Sequence, residues 1–307
     1  MEKGNMLEGV VGDIIDEVMQ KDYTPILSGI KFLDESLGGY YPGEMTTICG
    51  GVDSGKSALL IAQMNYLAVD QHIPTLLVLN NMTIETFLSC MAAYYCGIEV
   101  NNIHTVLKSE KNKEEIKAYL KLLSKAPLHI VKAQWYEEKP FFEKLEALIE
   151  EKGIKIVFFD ELVLYFKPSG GISTNLIKTM ALKQNIPVVA TCCTWNDREG
   201  LEGIKPALHD LCEFGEIHGN DVVISIVNYE QYHIYQDENG RDLHGLRSIE
   251  ILKAKGVIKE RTHLFQWDSF LYRNYSEKQK DALESLKSSN GDIDTLIRKL
   301  DLSIEDT

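Results

Sequence analysis

Lys56 and Ser57 close the run Gly50-Gly51-Val52-Asp53-Ser54-Gly55-Lys56-Ser57, and Asp160-Glu161 ends a second, strongly apolar run that begins at Ile154. An ammonium and a hydroxyl after a glycine-rich loop, with carboxylates at the end of a strand, are the groups that hold a nucleoside triphosphate and its Mg²⁺. Gly50 and Gly55 let the loop curl until successive N–H groups, from Gly51, Val52, Asp53 and Ser54 through to Ala58, face one phosphate. Lys56 then reaches the β- and γ-phosphates, and Ser57 takes a place on Mg²⁺. Asp160 fits the second acidic position on the metal shell, and Glu161 lies next to the attacking water. ATP and Mg²⁺ are therefore the expected cofactors.

Such a loop needs a strand before it and a helix after it. Met45 to Cys49 reads as a short buried strand, and Ala58 to Ala68 has the length and composition of a helix. The same alternation continues. Strands are predicted at Thr75–Leu79, Leu128–Val131, Ile154–Glu161, Pro187–Thr191, Val222–Val227, Ser248–Leu252 and His263–Trp267, and helices at Ile84–Tyr95, Pro140–Glu151 and up to Gln184. Strand and helix in turn signify a parallel sheet with crossovers, so the fold class is α/β. An acid at the carboxyl end of a parallel strand stands where open α/β sheets hold ligands.

Other stretches frame this unit. Ser28 to Gly39 reads as a short capped helix ended by glycines, Pro168 to Gly171 as a loop, Thr194 to Gly203 as a mobile loop, and Asp237 to Asp242 as a loop tip. Residues 6–19 form an amphipathic helix that either packs on its own domain or docks on a neighbouring subunit. Lys113, Lys117, Lys121 and Lys125 repeat at helical spacing, either following a phosphate backbone or forming a solvated face beside Glu114 and Glu115. The expected division is a docking helix and linker at 1–24, the ATPase domain at 25–275 and a helical tail at 276–307.

With 46 acidic and 32 basic residues the formal charge is −14, which opposes broad nucleic-acid or membrane binding and confines any DNA contact to a local patch. Six cysteines without a C-x-x-C pair fit reduced thiols in a cytosol. No metal-ligand spacing occurs among the eight histidines, and no run has transmembrane length.

The stretch Leu27-Ser28-Gly29-Ile30-Lys31-Phe32-Leu33-Asp34-Glu35-Ser36-Leu37-Gly38-Gly39, then Pro42-Gly43-Glu44 and the P-loop, resembles the opening of the RecA-like ATPase domain of the DnaB family of bacterial replicative helicases. The likeness runs on through Asp160 and the strand at Pro187, then Lys205-Pro206, Asp210-Leu211, Glu213, Gly215, Ile217, the Asp221 strand and Tyr232-His233, covering about residues 1 to 273. It implies a mostly parallel RecA-like sheet, a hexameric ring of identical subunits with nucleotide between them, and ATP hydrolysis coupled to movement on single-stranded DNA. The family's separate N-terminal helical domain falls outside the likeness, so primase docking through it is not expected.

Four positions depart from the family pattern. The glutamate that activates water corresponds to Asn81, which cannot accept a proton as a base. The γ-phosphate-sensing glutamine falls near Cys193, an arginine of the DNA loop at Cys212, and the finger reaching a neighbour's nucleotide at Lys255. Lysine supplies charge without the bidentate fork. Two readings follow: a helicase-type ATPase of reduced turnover, with Glu161 substituting as base, or a helicase-derived nucleotide-binding module that assembles with or regulates a DNA-processing partner. A regulatory RecA-like ATPase of the circadian-clock or recombination-accessory kind is a third.

Overall fold

The computed structural model describes residues 22–80, 82–98, 113–132, 138–162, 174–194, 205–208, 219–256, 258 and 260–266, with positions 15, 19 and 20 before them. The expected helix at 6–19 as a whole, Asn81, the loop at 168–171, the segment 195–203, Cys212 and the tail at 276–307 lie outside the described residues.

Eight strands form one sheet in the order β3-β2-β4-β5-β1-β6-β7-β8 among the described residues. They are β1 (Met45–Gly50), β2 (Thr75–Leu79), β3 (Leu128–Lys132), β4 (Ile156–Asp160), β5 (Val188–Cys193), β6 (Val222–Asn228), β7 (Leu246–Lys253) and β8 (Thr262–Gln266). The first six run parallel, and β7 and β8 extend the sheet antiparallel. This is the mostly parallel α/β sheet expected from the alternation.

Strand residues alternate between two cores, as the two-residue period requires. Ile156 and Phe158 of β4 pack with α2 (Lys56–Met64), α3 (Ile84–Cys96) and α4 (Lys113–Leu123), and with Phe32 and Leu33 of α1 (Lys31–Leu37). Val157 and Phe159 pack on the other face, with α5 (Glu138–Lys152) and α6 (Thr174–Gln184). Burial on both faces is why these strands read as unbroken apolar runs.

Two local details differ from expectation. The helix after the loop is α-helical only to Met64 and widens into a π-helical turn over Asn65–Asp70. There the Asn65 amide side chain donates to the Ile61 carbonyl (3.0 Å) and its Oδ1 accepts from the Tyr119 hydroxyl (2.7 Å), so a side chain competes for a backbone acceptor. At α1 the capping oxygen comes from inside the helix: Asp34 Oδ1 accepts from the amide and hydroxyl of Ser28, both at 2.7 Å, and Oδ2 accepts from the Gly29 amide. Gly38 at φ 80° ends α1, in keeping with the glycine stop expected there.

The lysine stripe of α4 is exposed, and Lys117 pairs with Glu114 at 2.6 Å, the arrangement of a solvated face. Among the described residues no helix is long and apolar enough to cross a membrane, and no group of His, Cys, Asp and Glu could hold a metal ion by itself.

Candidate nucleotide site

β1 is fully buried between β5 and β6, and its carboxyl end carries the loop Gly50–Lys56 into α2. Gly55, at φ 111°, sits at the N-cap of α2, so the amides of its first turn have no side-chain cap. Gly50 admits no side chain: a Cβ there would lie 2.5 Å from the Ile226 carbonyl and 2.5 Å from Ser54 Oγ. Lys56 is buried and folds back over the loop, donating to the carbonyls of Gly50 (2.9 Å) and Gly51 (2.7 Å). Ser57 is half-buried beside it, and Val52 and Asp53 are exposed on the loop's outer side. Ser54 Oγ is buried without a hydrogen-bond partner among the described residues.

An ammonium, a hydroxyl, an uncapped helix start and an orphan buried hydroxyl converge on one loop. That donor set fits a polyphosphate.

Asp160 ends β4, buried, two strands from β1. Alternation along β4 puts it on the face of Phe158, the side that packs on α2. Glu161 follows with φ 53°, its amide donating to Thr191 Oγ1 (2.7 Å) and its carbonyl accepting from Asn80 Nδ2 (3.1 Å). These bonds tie the ends of β2, β4 and β5 together where the two carboxylates emerge.

Cys193 pairs with Gly50 in the β5–β1 register and is half-buried, while Cys192 and Cys49 are fully buried on the opposite face. Burial pushes the Cys193 thiol above its ordinary range, although the Lys56 charge opposes this. Burial likewise pushes Cys192 up to about 12. Cys49 and Cys192 are therefore inert packing.

Lys255 does not join this group. It follows β7, whose Lys253 pairs with Val223 near the amino end of β6, so it lies at the opposite end of the sheet from the loop. Five residue steps of β1 separate the two ends, about 17 Å.

Three contacts that sequence reasoning did not identify fasten the loop from the other side. Arg247 Nη1 donates to the Ser54 carbonyl (2.7 Å), Asn228 Nδ2 reaches the Asp53 carbonyl (3.4 Å), and the Tyr232 hydroxyl stands over Gly51. Tyr232 falls within the family resemblance, which assigns it no role; Arg247 carries no signal in the sequence.

Known proteins share this fold. A model of the DnaB-like helicase C terminal domain matches residues 25–274. The replicative DNA helicase DnaB of Treponema pallidum (strain Nichols) is 23% identical over 240 residues, covering 74% of this chain and 54% of the relative. A probable replicative DNA helicase of Trieres chinensis is 22% identical over 259 residues, covering 80% and 57%. The chain thus spans about half the length of the curated relatives it matches. Among solved structures, one of an ATPase domain superposes with a TM-score of 0.68 at 16% identity, covering 87% of this chain and 97% of that one. A DnaB-like replicative helicase, solved in a study of its interactions with primase, gives 0.66 at 18% identity, covering 84% and 65%. The likeness to these two structures is one of fold. The chain belongs to the DnaB-like helicase C-terminal domain family.

Proposed function

We propose that this chain is a MgATP-binding ATPase of the replicative-helicase type, working in a ring of identical subunits on single-stranded DNA, with turnover well below that of a family member retaining all its catalytic groups. The observation that carries the reading is the placement of Lys56 on the carbonyls of Gly50 and Gly51, with Asp160 at the end of β4 on the same face of the sheet. On binding, Lys56 exchanges those carbonyls for β- and γ-phosphate oxygens, and Ser57 and Asp160 hold the metal shell. Held by Ser57 and Asp160, Mg²⁺ would supply positive charge against the negative charge that develops on the transferred phosphoryl group. Glu161 is the carboxylate that takes the water's proton in place of Asn81, and Lys255 supplies its charge to a neighbour's site.

A second reading, a nucleotide-dependent scaffold with negligible turnover, is favoured by Cys193 at the end of β5, where a thiol replaces a carboxamide beside the loop. Steady-state ATP hydrolysis with and without single-stranded DNA, measured beside Lys56→Ala, separates them. Turnover that DNA stimulates and Lys56→Ala abolishes supports the ATPase. ATP binding without turnover, lost in Lys56→Ala, establishes the scaffold. Absence of ATP binding by the wild-type protein overturns both.

A further inference from the structure

The 3₁₀ turn Glu230–Tyr232 follows β6 at the same end of the sheet as the P-loop. It brings the Tyr232 hydroxyl to 2.6 Å from the point a Cβ on Gly51 would occupy, with Gln231 Oε1 3.9 Å from that point. Hydrogen bonds fix the turn and the loop beside it. Tyr232 N donates to the Tyr229 carbonyl (3.0 Å), the Tyr229 hydroxyl meets Ser248 Oγ (3.0 Å), and Arg247 and Asn228 fasten the flanking strands to the loop.

Gly51 is also one of the two residues whose carbonyls hold the Lys56 ammonium. The hydroxyl and the ammonium therefore flank the same stretch of the loop, the end that faces the β- and γ-phosphates. Cys193 pairs with Gly50 in the β5–β1 register, next to Gly51. A thiol is a weak donor, whereas a phenol is a strong one. Burial, and then the neighbouring Cys193, hold the Tyr232 hydroxyl protonated beyond the ordinary tyrosine range, so it remains a donor at neutral pH.

We propose that the Tyr232 hydroxyl hydrogen-bonds the terminal phosphate of a nucleoside triphosphate held in the loop, making the polar contact that the thiol of Cys193 cannot. This rests on the MgATP reading above. It also explains why Gly51 stands without a side chain, since any Cβ would displace the hydroxyl.

The test is equilibrium titration of the full chain, wild type and Tyr232→Phe, with fluorescent ATP and ADP analogues in Mg²⁺. A hydrogen bond to a charged group predicts about a tenfold or greater loss of ATP affinity in Tyr232→Phe, with ADP affinity held within about twofold. Unchanged ATP affinity overturns the proposal. An equal loss for ATP and ADP does so too, because it makes Tyr232 a prop for the loop. In either case wild-type binding leaves the MgATP reading standing, whereas no binding by the wild type removes both.

Discussion

Lys255 Nζ lies 2.7 Å from Asp221 Oδ1 and 3.0 Å from Glu44 Oε1, at the amino end of the central strands. Its own P-loop is at the other end of β1, so in the proposed ring any contribution of Lys255 to hydrolysis is made to a neighbouring subunit. Complementation checks this. Lys56→Ala and Lys255→Ala are each expected to lack turnover, while their mixture recovers about a quarter of the wild-type rate, the share of interfaces that pair an intact loop with an intact lysine in random rings. No recovery on mixing, with oligomers shown to exchange subunits, rules out a role across the interface.

Asp221 does more than hold Lys255. Its Oδ2 accepts from the Met45 amide (2.9 Å) at the start of β1 and pairs with Lys178, which also donates to the Gly43 carbonyl (2.6 Å). Burial pushes its carboxyl up, but the bonds from Lys178, Lys255 and Met45 together outweigh burial and hold it below the usual aspartate range. A depressed folded-state pKa means stability that is full above the unfolded value and lost as pH falls through the folded one. Asp221→Asn should therefore cost about 1–3 kcal/mol at neutral pH and flatten the loss of stability below about pH 4. Parallel acid arms for variant and wild type in urea melts at several pH values would refute this.

Gly50 is closed off by the Ile226 carbonyl and Ser54 Oγ, each 2.5 Å from where a Cβ would sit, and one of those obstacles is backbone of the neighbouring strand. Gly50→Ala must part β1 from β6 at the mouth of the site. Overpacking of this kind costs about 1–3 kcal/mol. The expected result is a lower thermal midpoint together with loss of nucleotide binding, whereas Gly240→Ala, in an open turn at φ 76°, lowers the midpoint and leaves nucleotide binding intact. Native-like nucleotide affinity in Gly50→Ala would contradict the geometry.

The P-loop, the strands around it and Asp160 were legible because each has a local signature: a glycine spacing, an apolar run buried on both faces, an acid at a strand end. The sheet order and the antiparallel β7 and β8 were not, since pairing between strands far apart in sequence leaves no local pattern. The same limit hid Arg247, which is 193 residues from the Ser54 carbonyl it holds. Tyr232 belongs to the family resemblance, but only the fold shows its hydroxyl above Gly51. The π-helical turn has no sequence signal because Asn65 is an ordinary helix residue until Tyr119 arrives from α4 to bind it.

That Asn65–Tyr119 bond gives a prediction about the helix behind the loop. Both side chains are buried, and Tyr119 also packs against Tyr95 with ring centroids 4.6 Å apart. Tyr119→Phe keeps the ring and removes one hydroxyl, leaving Asn65 Oδ1 buried without its donor, a loss of about 1–3 kcal/mol. The α2 helix that carries Lys56 runs directly into Asn65, so protection of its backbone amides from hydrogen exchange should fall over residues 65–70 first. Asn65→Leu in the same background removes the orphan group and should recover part of the stability, though not the widened turn. If Tyr119→Phe proves neutral in denaturant melts, the bond is not what holds α4 against the helix of the P-loop.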